Sequence, residues 1–223
     1  MPLKKNKKIF IYLIMFLLIG TLNNKNLNNI NFANVNKIVV LGLDNESNLE
    51  LIENLNFLKI RNLFFLDKLK ITEILNSIHI VESYYVFKEY PNSITIKIDK
   101  TEFLAQIKKN ENYFLLGSNG KLVETDEKKK EIPLIFGEYK IKSFFDLKKA
   151  IDQTHLEYDT IKNLFFFKSG RWDIETKNGT LIKLPQNEIE SALEILINFL
   201  KNNPNKEIKK IDLRQNNQIV ING

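Results

Sequence analysis

The front of the chain most constrains what it can be: Lys4, Lys5, Lys7 and Lys8 precede IFIYLIMFLLIGTL, which carries no charge over residues 9–22. As a helix those 14 residues reach only about 21 Å at 1.5 Å per residue, against a hydrocarbon core about 30 Å thick. A core helix of a soluble protein would need a polar face, and residues 9–19 have none. A cleavable signal would end in small residues. This run instead leads into Leu22, Asn23, Asn24 and Lys25, and Ala33 has Asn31 two places before it. Lys8 can snorkel at one end while uncharged Thr and Asn extend the span at the other. The reading favoured over a signal peptide is therefore an uncleaved transmembrane helix over residues 9–24. The lysines ahead of the run outnumber Lys25 behind it, so residues 1–8 are expected in the cytoplasm and the bulk of the chain outside it.

The remainder is long enough for one or two domains with real cores, being most of 223 residues at 43% hydrophobic content. The net charge of +6 is scattered, and four of its lysines are explained by topology, so no nucleic-acid footprint is read from it. Zero cysteines exclude disulfides, thiolate metal sites and a cysteine nucleophile. His79 and His155 stand apart from any metal or nucleophile motif, and the 8 glycines form no phosphate-cradling pattern. Asp173 and Glu175 imitate a carboxylate pair but read as a solvated strand face, with nothing nearby to raise either pKa. Phe64, Phe65, Phe144, Phe145 and residues 165–167 read as core packing. Trp172 fits either an interface anchor or a buried core position. No enzyme activity, cofactor, metal or small-molecule substrate is expected.

Residues 25–34 are Asn-rich and read as a linker. KIVVLGL (37–43) reads as a strand, and Ser47 to Glu50 has capping-box spacing ahead of a helix marked by Leu51, Ile52, Leu55 and Leu58. After the apolar connector NLFFLD, Asp67 can cap a second helix with Ile71, Ile74, Leu75 and Ile78 on one face. Residues 80–89 and 94–99 flank the turn signal Tyr90-Pro91-Asn92-Ser93, giving a hairpin whose Ile94, Ile96 and Ile98 share a face. Residues 35–100 thus spell β-α-α-β-β. Beyond them, short apolar runs at 103–107, 113–116 and 121–124 suggest a strand meander, followed by a charged break at 126–131 and IPLIFG. A short helix capped at Ser143 and a strand at 164–167 come next. The pair Asn178-Gly179 joins two strands, an amphipathic helix covers 187–200, and alternating segments lie at 208–214 and 218–221.

The opening strand, NLFFLD and VESYYVFKEYPNSITIKIDK resemble the POTRA domain, in particular that of the FtsQ/DivIB cell division family. IPLIFG, RWDI…NG…IKLP and the IDLR strand extend the resemblance almost end to end. It implies an α+β protein: a single N-terminal transmembrane helix, a POTRA-like domain over residues 35–100, and a mostly antiparallel FtsQ-type β domain over 101–223 with a C-terminal edge strand. It further implies a non-catalytic scaffold of the inner membrane, single-pass, enriched at the division septum with its bulk in the periplasm. Its partners would be divisome proteins, including FtsB-like and FtsL-like membrane proteins. Transferred by region, the FtsB-like contacts fall on Asp212, Leu213, Arg214, Gln215, Asn216, Asn217, Gln218, Ile219, Val220 and Ile221. The physical basis would be an unpaired strand edge completed by a partner strand. An interior or self-paired strand at 208–221 is the competing reading of the same spacing. The alternative function, a membrane-anchored POTRA protein of outer-membrane protein or polypeptide transport, has one POTRA-like unit instead of a tandem array.

Overall fold

A computed structural model describes residues 3–22, 34–203, 208–215 and 218–222. The expected linker over residues 25–34 lies outside them, apart from Asn34. Two compact units divide the chain: Met1–Ser77 with Tyr84–Asp99, and Ile78–Ser83 with Lys100–Gly223.

The first unit opens with helix α1, Leu3–Leu22. Among the described residues no helix is long and apolar enough to cross a membrane. After it come β1 (Lys37–Leu41), α2 (Asn45–Asn54), two short 3-10 turns (Asn56–Ile60, Leu63–Phe65), α3 (Lys68–Ser77), β2 (Val81–Glu89) and β3 (Ser93–Lys100). The sheet order is β1-β3-β2, with β1 parallel to β3 and Ile38 opposite Ile94. Ile94, Ile96 and Ile98 all point into a core with Leu51, Leu55, Leu58, Leu63, Ile71 and Leu75, because a strand's side chains alternate and these three are two apart. The cap of α2 is Asp44, three residues ahead of the expected Ser47. Its Oδ1 accepts from Ser47 N at 3.0 Å and its Oδ2 from Ser47 Oγ at 2.9 Å, so the carboxylate outcompetes the hydroxyl for the free amides. Asp67 does cap α3, accepting from Lys70 N at 3.1 Å.

In the second unit, β4 (Phe103–Lys109), β5 (Asn112–Gly117) and β6 (Leu122–Thr125) form the expected meander. The chain then departs from it: β7 (Leu134–Phe136) returns to pair in parallel with β4. Helix α4 (Ile141–Asp152), β8 (Ile161–Phe166), β9 (Trp172–Thr176), β10 (Leu181–Lys183), α5 (Ile189–Asn202), β11 (Lys210–Asp212) and β12 (Val220–Asn222) follow. Nine strands line up as β12-β11-β10-β9-β8-β7-β4-β5-β6. Five pairings are antiparallel and three parallel. Two of the parallel pairs, β7–β8 and β10–β11, are bridged by α4 and α5, since strands running the same way need a crossover.

One register line crosses the sheet through Phe114, Ile107, Ile135, Leu164, Ile174, Ile182, Ile211 and Ile221. It packs with Phe144, Leu147 and Ile151 of α4 and with Leu193 and Leu196 of α5. Trp172 joins this core as a buried residue, its ring 4.8 Å from Phe166, which settles its place away from any interface. Its Nε1 donates to Ser143 Oγ at 3.0 Å. Ser143 therefore sits inside α4 as a partner of the indole instead of capping the helix.

Gly137 and Gly179 separate strain from space. Both have positive φ, +96° and +89°; a Cβ on Gly137 would stand 2.2 Å from Phe166 O, and one on Gly179 meets nothing within 4 Å. Gly179→Ala is expected to cost about 1–2 kcal/mol in urea unfolding from backbone strain alone. Gly137→Ala must add the displacement of a backbone carbonyl and cost distinctly more; equal losses would contradict this packing.

Candidate partner-binding edge

The alternation along β11 decides which backbone groups are free. Leu181 N donates to Lys209 O at 2.9 Å and Leu213 N to Lys183 O at 2.9 Å, so residues 209, 211 and 213 turn their backbone groups toward β10. Lys210 and Asp212 turn theirs the other way, toward Asn222 and Val220 of β12. It follows that Val220 and Asn222 face inward, while the N–H and C=O of Ile221 face away from the sheet. Ile219 continues the same alternation.

The ten predicted site residues thus fall into three groups. Asp212 and Leu213 are interior to the sheet: β11 is paired on both sides, and Leu213 is buried. The expectation of an edge over the whole terminal segment is corrected here, because of its two strands β12 alone lies at the edge. Arg214, Gln215 and Gln218 form the exposed connection, closed by Gln218 N donating to Gln215 O at 3.2 Å; Asn216 and Asn217 lie outside the described residues. Ile219, Val220 and Ile221 belong to the outermost strand or lead into it. Ile219 and Ile221 are half-buried against the core, and Val220, 50% exposed, stands on the opposite face. A proline at Leu213 or Val220 would remove a donor that the sheet itself uses. Among the described residues, Ile221 is the β12 position whose donor turns away from the sheet.

No charged side chain occurs from Gln215 to Gly223. Sheet edges are ordinarily guarded by lysines or other charges that oppose pairing with a second chain. The far edge, β6, carries Glu124 and leads into the charged segment at 126–131, whereas β12 has no such guard.

On the face opposite the helices, a second register line runs Phe136, Phe165, Asp173, Lys183, Asp212, Val220. Phe136 and Phe165 stack at 5.1 Å, and Lys183 lies between two carboxylates. Arg214 Nε donates to both Asp212 oxygens, at 2.8 and 3.0 Å, and Arg214 N donates to Oδ1 at 3.1 Å. These bonds hold the Asp212 carboxyl below the ordinary carboxylate range. Asp173 is the correction to the expected solvated face. It is 3% exposed, and burial pushes its carboxyl up against the opposing pull of Arg171, Lys183 and Arg214. Glu175 goes the other way, lowered chiefly by the hydrogen bond from Asn163. Phe64 and Phe65 also depart from core packing, since both are exposed. Among the described residues no group of three or more His, Asp or Glu is placed to hold a metal.

A β-α-α-β-β sheet in series with a helix-backed mixed sheet defines a POTRA-containing protein, and the family models agree. The FtsQ-type POTRA domain matches residues 33–100, and the C-terminal region of cell division protein FtsQ/DivIB matches residues 105–214, ending just short of β12. The cell division proteins FtsQ of Rickettsia typhi and of Rickettsia prowazekii are each 28% identical over 195 residues, covering 82% of this chain and 70% of theirs. A solved major extracytoplasmic domain of the trans isomer of DivIB from Geobacillus stearothermophilus superposes with a TM-score of only 0.36 at 11% identity, over 49% of this chain and 99% of that one. The chain belongs to the FtsQ/DivIB family of cell division proteins.

The two carboxylates on the charged line should respond to pH with opposite sign. Asp212 has a lowered folded pKa, so its contribution is present above the unfolded value of about 3.9 and is lost as pH falls through the folded one. Asp173 has a raised folded pKa, so its contribution is present at low pH and is lost as pH rises through that value. In thermal melts from acid to neutral pH, Asp173→Asn should gain stability relative to the parent and Asp212→Asn should lose it. The same sign for both would refute the assignment.

Proposed function

We propose that this chain is a single-pass divisome scaffold that works by offering β12 to a partner strand. The observation that carries the reading is the outward N–H and C=O of Ile221 on an uncharged terminal edge, in a chain of the FtsQ/DivIB family. An incoming strand completes the ladder at Ile219 and Ile221, while Val220 offers an apolar side chain on the face opposite the helices. The partner is an FtsB-like protein in complex with an FtsL-like one, and the exposed connection at Arg214, Gln215 and Gln218 borders the seam, Asn216 and Asn217 lying outside the described residues. No step of this role requires catalysis.

Around that edge the chain is arranged for one membrane. Residues 1–8 form a cytoplasmic tail and residues 9–24 an anchor in the inner membrane. Residues 25–34 are the spacer, residues 35–100 the POTRA-like domain and residues 101–223 the β domain, both on the periplasmic side at the septum. The anchor reading is supported by the lysines ahead of an uncharged run and by the unbroken helix over Leu3–Leu22. The shortness of the run is offset by snorkelling of Lys8 and local thinning of the bilayer. The chain would link early division proteins to later ones by holding the FtsB-like and FtsL-like pair at the septum.

Ile221→Pro removes the outward donor at a position where an edge tolerates proline. It should weaken co-purification with an FtsB-like coiled-coil protein about tenfold or more, through the lost ladder bond and the ring at the seam. Ile221→Val, which keeps the N–H, should bind like the parent. Undiminished binding by a folded Ile221→Pro chain would sink the edge reading.

A further inference from the structure

The first unit displays aromatic groups that its own core does not use. Asn62 Oδ1 accepts from Phe64 N at 2.9 Å and sets up the 3-10 turn Leu63–Phe65. Leu63 is buried, but Phe64 and Phe65 are 54% and 78% exposed, and Leu69 at the start of α3 is 77% exposed. Tyr90, also exposed, sets its ring 5.5 Å from that of Phe64. The stretch that carries the turn is basic: over residues 59–70 Lys59, Arg61, Lys68 and Lys70 are exposed against Asp67, while the exposed acids Glu73 and Glu89 lie beyond it. Lys88 Nζ donates to Leu63 O, and a groove of about 390 Å³ beside the turn is lined by Leu66, Ile71, Tyr84 and Val86 together with Lys68 and Lys88.

The position of this patch along the chain says what meets it. Asn34 forms a β-bridge with Asn62, and Val35 N donates to Arg61 O at 3.0 Å, so the chain comes into the unit directly beside the exposed turn. Helix α1 ends at Leu22. The residues between, 23–33, span at most about 40 Å fully extended at up to 3.6 Å each. A surface so tethered meets the bilayer at high local concentration. Aromatic side chains partition to the headgroup level, and lysines and arginines are drawn to anionic lipid. A second copy of the chain would bring like charges face to face.

We propose that Phe64, Phe65, Leu69 and Tyr90, ringed by Arg61, Lys68 and Lys88, dock the first unit on the anionic lipid surface. The proposal rests on the reading of α1 as an anchor. Docking fixes the height and orientation of this unit at the membrane, where a linker alone would leave it free.

The chain has no cysteine, so Phe65→Cys in the full chain takes a single nitroxide label, with Lys97→Cys as the control on the other face of the sheet. The chain is reconstituted in vesicles of phosphatidylethanolamine with phosphatidylglycerol, and separately of phosphatidylcholine alone. In the anionic vesicles the label at 65 should collide with oxygen in preference to an aqueous nickel chelate. That preference should vanish in phosphatidylcholine or high salt, and the label at 97 should stay aqueous throughout. Arg61→Gln or Lys68→Gln should each lower the ratio of docked to free label about fivefold, the worth of one juxtamembrane cation. A chain that resists alkaline carbonate extraction yet keeps residue 65 open to the nickel chelate in anionic vesicles overturns the docking alone. A chain released by carbonate overturns the anchor and the docking together. Protection that is equal in both lipids, with dipolar broadening between labels, makes a second copy the occupant and also overturns it.

Discussion

Ile107, Ile135, Leu164, Ile174, Ile182 and Ile211 stand on one register line across six strands, and Ile221 closes it at the edge. Each buried member contributes about 1.5–3 kcal/mol relative to exposure. A slip of one residue in any strand would turn its apolar side chains out and its polar ones in. This line therefore fixes more than the core. Ile211 directs its backbone toward β10, which leaves Lys210 and Asp212 to pair with β12 and turns Ile221 outward. The terminal edge and the hydrophobic core are set by the same alternation, and neither can shift without the other.

The same alternation places the charges. Asp173, Lys183 and Asp212 are neighbours on the face away from α4 and α5 because each stands one residue from a core isoleucine. The bonds from Arg214 hold Asp212 ionised at the root of the edge, while Asp173 is buried beside Arg171. Burial rarely favours an ion pair over an apolar contact of similar size, so this pair, two residues apart in the chain, adds little to the strength of the sheet. The terminal strand, in contrast, has neither charge nor bulge to deter a partner.

Much of this was legible in the sequence because the signals were local. The β-α-α-β-β order, the Asn178-Gly179 turn and the amphipathic α5 all follow from spacing within a few residues of one another. The return of β7 to β4 was not legible: parallel pairing across the charged break is a long-range choice, visible only in where a strand's second edge is satisfied. The caps were misplaced by short distances for a similar reason. Ser143 has the residue type of a cap, but the indole of Trp172, distant in sequence, takes its oxygen. Asp173 read as solvated because its burial comes from strands and loops remote in the chain. Phe64 and Phe65 read as core because composition cannot tell a buried ring from one held out by a turn. The resemblance points to the terminal segment as a whole, and its division into an interior β11 and an edge β12 is visible only in the pairing.

The central claim is that a partner strand completes the sheet at Ile219 and Ile221. Residue-resolved amide exchange of the full chain, alone and with an FtsB-like and FtsL-like pair, tests it most directly. On complex formation the Ile221 and Ile219 amides should become strongly protected, while the Leu213 amide, already bonded to Lys183 O, should change little. A complex that forms with the Ile219 and Ile221 amides exchanging as freely as before would contradict it.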